Sequence, residues 1–244
     1  MSGAVDGGPL GGAAVGGEGS AEGETGAGRL RADGAAEDLF AGALASEAEL
    51  RELYEQPGER ARRKQIEGVD AMARRLIALA PFVFVASHDA DGRADVSPRG
   101  GPPGFVTVLD DRHVAVPDAT GNRRLDTLRN VIATGHAGLL FVIPGRGQTL
   151  RVNGPARVTA RPDVLERLTP VGKPPRSALV VEAAEVFAHC QKAFVRSGLW
   201  DPATWPAAAD QPTQAEVTHA HLRGLNTLEE IERFNAESLR TRLE

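Results

Sequence analysis

The chain has 244 residues, enough for one domain of ordinary size with extensions. A formal net charge of −5 argues against a general nucleic-acid-binding protein, because such a protein needs a basic face. No segment approaches the roughly 18 consecutive apolar residues of a membrane-spanning helix. The single cysteine, Cys190, excludes an internal disulfide and favours a reducing compartment. We therefore expect a cytoplasmic protein without a nucleic-acid or membrane partner.

The first 80 residues fall into two segments of different composition. Residues 1–36 contain 12 of the 28 glycines and few large apolar side chains. Burial of so few apolar groups cannot offset the entropy cost of ordering the chain. We predict a disordered tail there. Residues 37–80 predict a helical extension in at least two pieces, with a break at Gln56-Pro-Gly58. The second piece is predicted as one helix over residues 59–79, because its apolar residues recur at helical spacing.

After Pro81 the apolar residues alternate with period two, which is typical of β-strands. The predicted strands are 82–87, 93–97, 105–109, 113–116, 137–143, 149–159 and 179–187. Gly154-Pro155 is expected to bend the longest of them. Short antiparallel strands with a turn roughly every 8–12 residues predict a mainly β barrel or sandwich with flanking helices over residues 81–205.

Short helices are predicted at 163–168 and 190–197, and a C-terminal helical segment at 206–244. Within that segment the helices are expected at 214–223 and 227–242. Asn226 and Glu229 have the spacing of a capping box at the start of the second helix.

Two adjacent arginines, Arg123 and Arg124, are the most informative polar feature. Apolar spacing predicts a helix to about residue 133 with Asn122 as its N-cap, so both arginines are expected in its first turn. Cations are unfavourable at the positive end of a helix unless an anion joins them. Free N–H groups and two guanidinium groups suit a phosphate. In the alternative interpretation both side chains point into water and Asp126 relieves part of the repulsion.

The sequence carries none of the usual catalytic motifs. It has no Gly-x-Ser-x-Gly elbow, no His-Glu-x-x-His and no cysteine pair for zinc, so we predict no metal site and assign no catalytic residue. Cys190 follows His189 directly, so its thiol could have a base beside it. We expect instead that Cys190 is a buried structural cysteine. If the protein is an enzyme, a bound cofactor is expected to supply the chemistry.

Five motifs between Pro81 and Trp200 resemble the FMN-binding split β-barrel of the pyridoxamine 5′-phosphate oxidase family, in a bacterial branch of unassigned substrate. They occur in the family's order, which makes the set far more specific than any one member. The motifs are Asp-Val-Ser-Pro-Arg-Gly (95–100), Pro-Asp-Ala-Thr-Gly-Asn-Arg-Arg-Leu-Asp-Thr-Leu (117–128), Leu-Leu-Phe-Val-Ile-Pro-Gly (139–145), Thr-Leu-Arg-Val-Asn-Gly (149–154) and His-Cys-Gln-Lys-Ala-Phe-Val-Arg-Ser-Gly-Leu-Trp (189–200).

The resemblance implies a set of cofactor-binding residues. Arg123 and Arg124, with Asn122 in the same motif, align with residues that bind the FMN phosphate. Ser97 and Arg99 match residues beside the isoalloxazine ring or the ribityl chain, and Thr149 matches a polar cofactor contact. A C-terminal segment, commonly from the second subunit, closes over the flavin and matches Arg196, Ser197 and Trp200. An ordinary interface role for Trp200 is equally open.

The activity implied is that of an FMN-dependent oxidoreductase. It would act as a homodimer on a reduced nicotinamide or another small molecule. Family members that oxidise pyridoxamine phosphate end in Arg-Leu-Xaa-Pro, whereas this chain ends in Ser-Leu-Arg-Thr-Arg-Leu-Glu, so that substrate is not expected here. The alternatives are a non-enzymatic flavin- or haem-binding module and a deazaflavin-dependent reductase, since one fold can carry several functions.

Overall fold

The computed structural model describes residues 38–119 and 121–241. The predicted tail, residues 1–36, lies outside the described residues. The chain divides into two compact units at the Glu55–Gln56 bond. In the first unit the described residues form helix α1 (Glu47–Leu53). It begins at Ser46, whose side chain accepts the N–H of Glu49, because a hydroxyl at this position satisfies a free helix donor.

The second unit contains the remaining helices and all strands of the described residues. Its helices are α2 (Glu59–Arg63), α3 (Ala71–Leu79), α4 (Asp126–Thr134), α5 (Pro162–Leu165), α6 (Lys192–Ser197), α7 (Gln214–Leu222) and α8 (Leu228–Thr241). Its strands are β1 (Phe82–His88), β2 (Ala94–Gly100), β3 (Thr107–Val108), β4 (His113–Pro117), β5 (His136–Val142), β6 (Leu150–Thr159), β7 (Ala178–Glu182) and β8 (Glu185–Ala188).

The strands form one antiparallel sheet in the order β2-β1-β5-β6-β7-β4-β3, and β8 pairs with β6. The long strand β6 changes partner along its length. Residues 150–153 pair with β8, and residues 156–159 pair with β7. Gly154 lies between these two stretches of β6, at the position where the sequence predicts a bend. The predicted mainly β split barrel with flanking helices is confirmed. Among the described strands, β2 and β3 are the two ends of this order, and β8 likewise pairs with a single strand.

The core of this unit is built mainly from valine, alanine and leucine. Val83 and Val85 of β1 are fully buried and alternate with exposed residues, which is why this stretch forms a strand with one inner face. Helix α3 buries Ala73 and Ile77 in the same core. Each buried valine or larger aliphatic side chain contributes roughly 1.5–3 kcal/mol.

Residues 59–79 do not form one helix, so that prediction is wrong. Helix α2 ends at Arg63 and α3 begins at Ala71. Between them Ile66 exchanges backbone hydrogen bonds with Val186, at 3.0 and 2.9 Å. Gly68 then turns at φ +77°. Two bonds to a distant strand thus replace the helical bonds of this segment, which apolar spacing alone does not reveal.

Two further predictions need correction. Residues 179–187 form two strands, because Ala183 and Ala184 turn the chain from β7 to β8. The capping pair of α8 is Thr227 and Glu230, one residue later than expected. The N–H of Thr227 donates to the Glu230 carboxylate at 3.0 Å, and the N–H of Glu230 donates to the Thr227 hydroxyl at 3.2 Å. In the described part of the chain no helix is long and apolar enough to cross a membrane.

Candidate functional site

A cleft of about 860 Å³ lies between β2, the loop before α4 and the segment 171–177. It brings together five of the nine predicted cofactor residues, which are Ser97, Arg99, Asn122, Arg123 and Arg124. Its walls carry five basic side chains and three carboxylates. The basic residues are Arg99, Arg123, Arg124, Lys173 and Arg176, and the acidic ones are Asp95, Asp118 and Asp126.

Strand β2 presents polar side chains to the cleft at every second position. Asp95, Ser97 and Arg99 are half-buried and alternate with exposed residues. Thr127, buried in α4, connects all three. Its hydroxyl donates to Asp95 Oδ2 at 2.8 Å and lies 2.8 Å from Ser97 Oγ. Arg99 donates to Ser97 Oγ at 2.9 Å and to Thr127 Oγ1 at 3.3 Å. The strand and the helix are thus joined by one hydrogen-bond network.

The network predicts a stability loss for Thr127→Val, which keeps the shape of the side chain but removes its hydroxyl. We expect a loss of about 1–3 kcal/mol, because the Asp95 and Ser97 side chains would remain in place with a partner missing. For a unit of this size that corresponds to a fall in Tm of roughly 2–12 °C. Thermal melting measures it. Thr134→Val is the matched control, because in the described contacts the Thr134 hydroxyl only donates to the Asn130 carbonyl of its own helix. Equal melting of the two variants would contradict a role for the network.

The arginine pair lies before α4 and not within its first turn, so the predicted helix start is wrong. Helix α4 begins at Asp126, and Leu125 at its N-cap makes no side-chain cap. Arg123 and Leu125 both have left-handed backbones, at φ +63° and +58°, which a helix beginning at Asn122 cannot contain. Asn122 caps a turn instead, because its Oδ1 accepts the N–H of Arg124 at 3.0 Å.

The two arginines differ in their partners. Arg124 Nε donates to Asp126 Oδ2 at 2.7 Å, and this hydrogen bond raises the pKa of Arg124 above its ordinary value. Arg123 has no hydrogen bond or ion pair with any described residue, and its side chain lines the cleft. The alternative in which Asp126 relieves the repulsion therefore describes Arg124 but not Arg123.

Asp118 lies in the cleft wall facing Arg99. Burial raises the pKa of this carboxyl above its ordinary 3.8, and the positive charge of Arg99 opposes part of that rise. The protonated form is therefore favoured more in the folded protein than in the unfolded chain.

This shift predicts that Asp118→Asn raises the Tm of the ligand-free protein at pH 7 and changes it little near pH 3. Because the pKa is raised in the folded state, the wild type loses stability as the pH rises above the unfolded value, whereas asparagine does not titrate. Melting curves of both proteins between pH 3 and 8 measure the effect. A variant that is less stable than the wild type at pH 7 would show that the carboxylate is stabilising.

The other four predicted residues do not line this cleft in the single chain. Thr149 is buried at the start of β6, and its carbonyl accepts the N–H of His189. Trp200 Nε1 donates to the Arg146 carbonyl at 2.8 Å, and its ring stacks on Phe194. Ser197 donates to the Phe194 carbonyl at 3.2 Å, and Arg196 lies beside it in α6.

Cys190 is exposed, so the expectation of a buried structural cysteine is wrong. A hydrogen bond from the backbone N–H of Lys192 lowers the pKa of its thiol. Burial lowers the pKa of His189, and the charges of Arg151 and Lys64 lower it further. Among the described contacts, none joins the imidazole to the thiol.

The residues missed by the sequence analysis are Asp95, Asp118, Thr127, Lys173 and Arg176. Alternation with Ser97 and Arg99 already pointed to Asp95, because the three share one strand face. Lys173 and Arg176 carried no local signal, since they reach the cleft from a segment about 50 residues after Arg123.

The fold is thus an antiparallel split barrel with a polar, cation-rich cleft beside one of its edge strands. Residues 69–190, half of the chain, match the family model described as pyridoxamine 5′-phosphate oxidase. The chain belongs to this family. No curated protein matches it.

Several solved structures are similar to about half of the chain. HupZ of group A Streptococcus is 19% identical over 49% of this chain and 93% of its own, with a TM-score of 0.40. An FMN-binding protein of Syntrophomonas wolfei is 12% identical over 48% and 88%, with a TM-score of 0.34. The FAD-binding protein of Mycobacterium smegmatis is 12% identical over 51% and 97%, with a TM-score of 0.36.

Proposed function

We propose that this protein is an FMN-dependent oxidoreductase acting on a small organic substrate or a reduced nicotinamide. The observation that carries the proposal is the position of Arg123. Its side chain lines the cleft without a hydrogen-bonded or ionic partner among the described residues, just before the N-terminus of α4, where Leu125 provides no side-chain cap. A phosphate there would gain charge-assisted hydrogen bonds and the favourable end of the helix dipole.

The donor set of the cleft fits FMN. Arg123, Arg124 and the N–H groups at the start of α4 would hold the phosphate, and Asn122 would keep the turn in shape. Ser97 and Arg99 would donate to the polar edge of the ring or to the ribityl chain. When bound, FMN supplies a redox centre that accepts a hydride or single electrons. Thr127 and Asp95 fix the two donors of β2 before any ligand arrives.

Two further basic residues line the cleft, and the side chains of Lys173 and Arg176 make no hydrogen bond or ion pair with any described residue. They are available to a second anionic group in the same cleft. The pyrophosphate of a reduced nicotinamide would satisfy this requirement, since arginine and lysine are the usual phosphate-binding side chains.

The proposed assembly is a cytoplasmic homodimer. Arg196, Ser197 and Trp200 do not line the cleft of their own chain, so a second subunit would have to supply them to the cofactor. Light scattering of the purified protein with FMN tests this assembly. A monomer that binds FMN tightly would remove the need for a second subunit and contradict the proposed role of Trp200.

The absorbance spectrum of the freshly purified protein is the first test of the function. Bound FMN gives the two-band spectrum of an oxidised flavin, whereas a haem or a deazaflavin gives a different one and would replace the proposal. Stopped-flow mixing of the FMN form with NADH and NADPH then tests turnover. Flavin reduction no faster than that of free FMN by either donor would favour a non-enzymatic flavin-binding module.

A further inference from the structure

Two exposed histidines lie on the outer side of neighbouring strands, away from the core. In β1 the residues Val83, Val85 and Ser87 point inward, so His88 points outward. In β5 Ala137, Leu139 and Phe141 are buried, so His136 points outward as well. The pairing of β1 with β5 ends at Ala86 and Gly138, and two further residues in the same register would set His88 opposite His136. Directly opposite residues have Cβ atoms about 4.5–5.5 Å apart.

Each of the two imidazoles has its Nδ1 beside a backbone carbonyl oxygen. His88 Nδ1 lies 3.0 Å from the Asp89 carbonyl oxygen, and His136 Nδ1 lies 3.2 Å from the Thr134 carbonyl oxygen. A carbonyl only accepts, so each Nδ1 carries the proton and each Nε2 keeps its lone pair. A hydrogen bond from one ring nitrogen to a backbone carbonyl is the usual support of a metal-binding histidine. Neither Nε2 has a partner among the described residues.

Both histidines border one groove of about 540 Å³, which shares no lining residue with the cation-rich cleft. The nearest outward positions carry the small residues Ala86, Ala94 and Gly138, and the longer side chains of Asn153 and Glu185 border the groove beyond them. A metal ion with its water ligands therefore has room above the sheet between the two rings.

We propose that His88 and His136 chelate a divalent transition-metal ion through their Nε2 atoms. Imidazole nitrogen suits zinc, nickel and copper, and copper is expected to bind most tightly. No group of three or more histidine, cysteine, aspartate or glutamate side chains in the described ranges is arranged to hold a metal. The two histidines are thus the protein ligands, and water completes the coordination. The proposal concerns neither the cleft nor the flavin and stands independently of the proposed function.

Calorimetric titration of the full chain, purified without a histidine tag, with Cu²⁺, Ni²⁺ and Zn²⁺ tests the site. We expect one ion per chain, and at least a roughly 10–100-fold loss of affinity in His88→Ala and in His136→Ala, since loss of an outer partner alone has that effect. The Cu²⁺ paramagnetic resonance spectrum should show two coordinated nitrogens, and one in each variant.

The matched control is the double variant His219→Ala/His221→Ala, which removes two histidines of α7 and should leave the affinity unchanged. If an alanine variant melts at a different temperature from the wild type, the affinity is measured on His88→Gln or His136→Gln instead. Unchanged affinity in the variants of β1 and β5, loss of affinity in the α7 control, or no binding at all would each overturn the proposal.

Discussion

Replacing Arg123 with alanine is expected to weaken FMN binding by roughly 10- to 150-fold. The side chain has no hydrogen-bonded or ionic partner among the described residues, so a phosphate would be its main interaction, and charge-assisted hydrogen bonds contribute on the order of 1.5–3 kcal/mol. Arg124→Ala should weaken binding by a similar factor, although it also breaks the exposed pair with Asp126. Flavin titration followed by fluorescence measures both affinities.

Three controls separate phosphate binding from structural effects. Arg129→Ala removes the same charge from an exposed position of α4 that does not line the cleft, and should leave FMN affinity unchanged. Riboflavin lacks the phosphate and should bind the wild type and all variants about equally poorly. Arg123→Gly should lose FMN affinity like the alanine variant.

The glycine variant should also melt at a higher temperature without cofactor. Only glycine adopts a φ of +63° without strain, and the gain is on the order of 1 kcal/mol. If both Arg123→Ala and Arg124→Ala bind FMN as tightly as the wild type, the assignment of the phosphate site is wrong.

The second large effect concerns stability. Gly154→Ala is expected to destabilise the protein by at least about 3 kcal/mol, because a Cβ at this position would lie 2.0 Å from the backbone carbonyl oxygen of Glu182. A backbone atom cannot move aside as a flexible side chain can. Gly154 also lies where β6 passes from β8 to β7, so any shift would disturb both pairings.

Thermal melting should show a fall in Tm of roughly 6–12 °C or more, or no folded protein at all. Gly100→Ala is the matched control, because it adds the same methyl group to a strand with a nearest contact of 3.6 Å, an ordinary van der Waals distance. A Gly154→Ala protein as stable as the Gly100→Ala protein would show that β6 tolerates a side chain at its change of partner.

The strand content and the charge of the loop before α4 were predictable because their signals are local. Alternation with period two reports which side of a strand faces the core, and it placed most strands to within one or two residues. The chemistry of Arg123 and Arg124 was likewise evident from residue type, since two adjacent cations require either an anion or solvent. The left-handed backbone of Arg123 and Leu125 was not evident, because such a conformation in residues other than glycine leaves no signature in the composition.

Only the tertiary structure decided the features that depend on residues far apart in the chain. Helical spacing continues through residues 59–79, yet Ile66 pairs with Val186, because two bonds to a strand satisfy its backbone as well as a helix does. Thr127 and Asp95 are 32 residues apart, and their hydrogen bond exists because α4 packs across β2. His88 and His136 border one groove for the same reason, as neighbouring strands bring together residues that no sequence spacing relates.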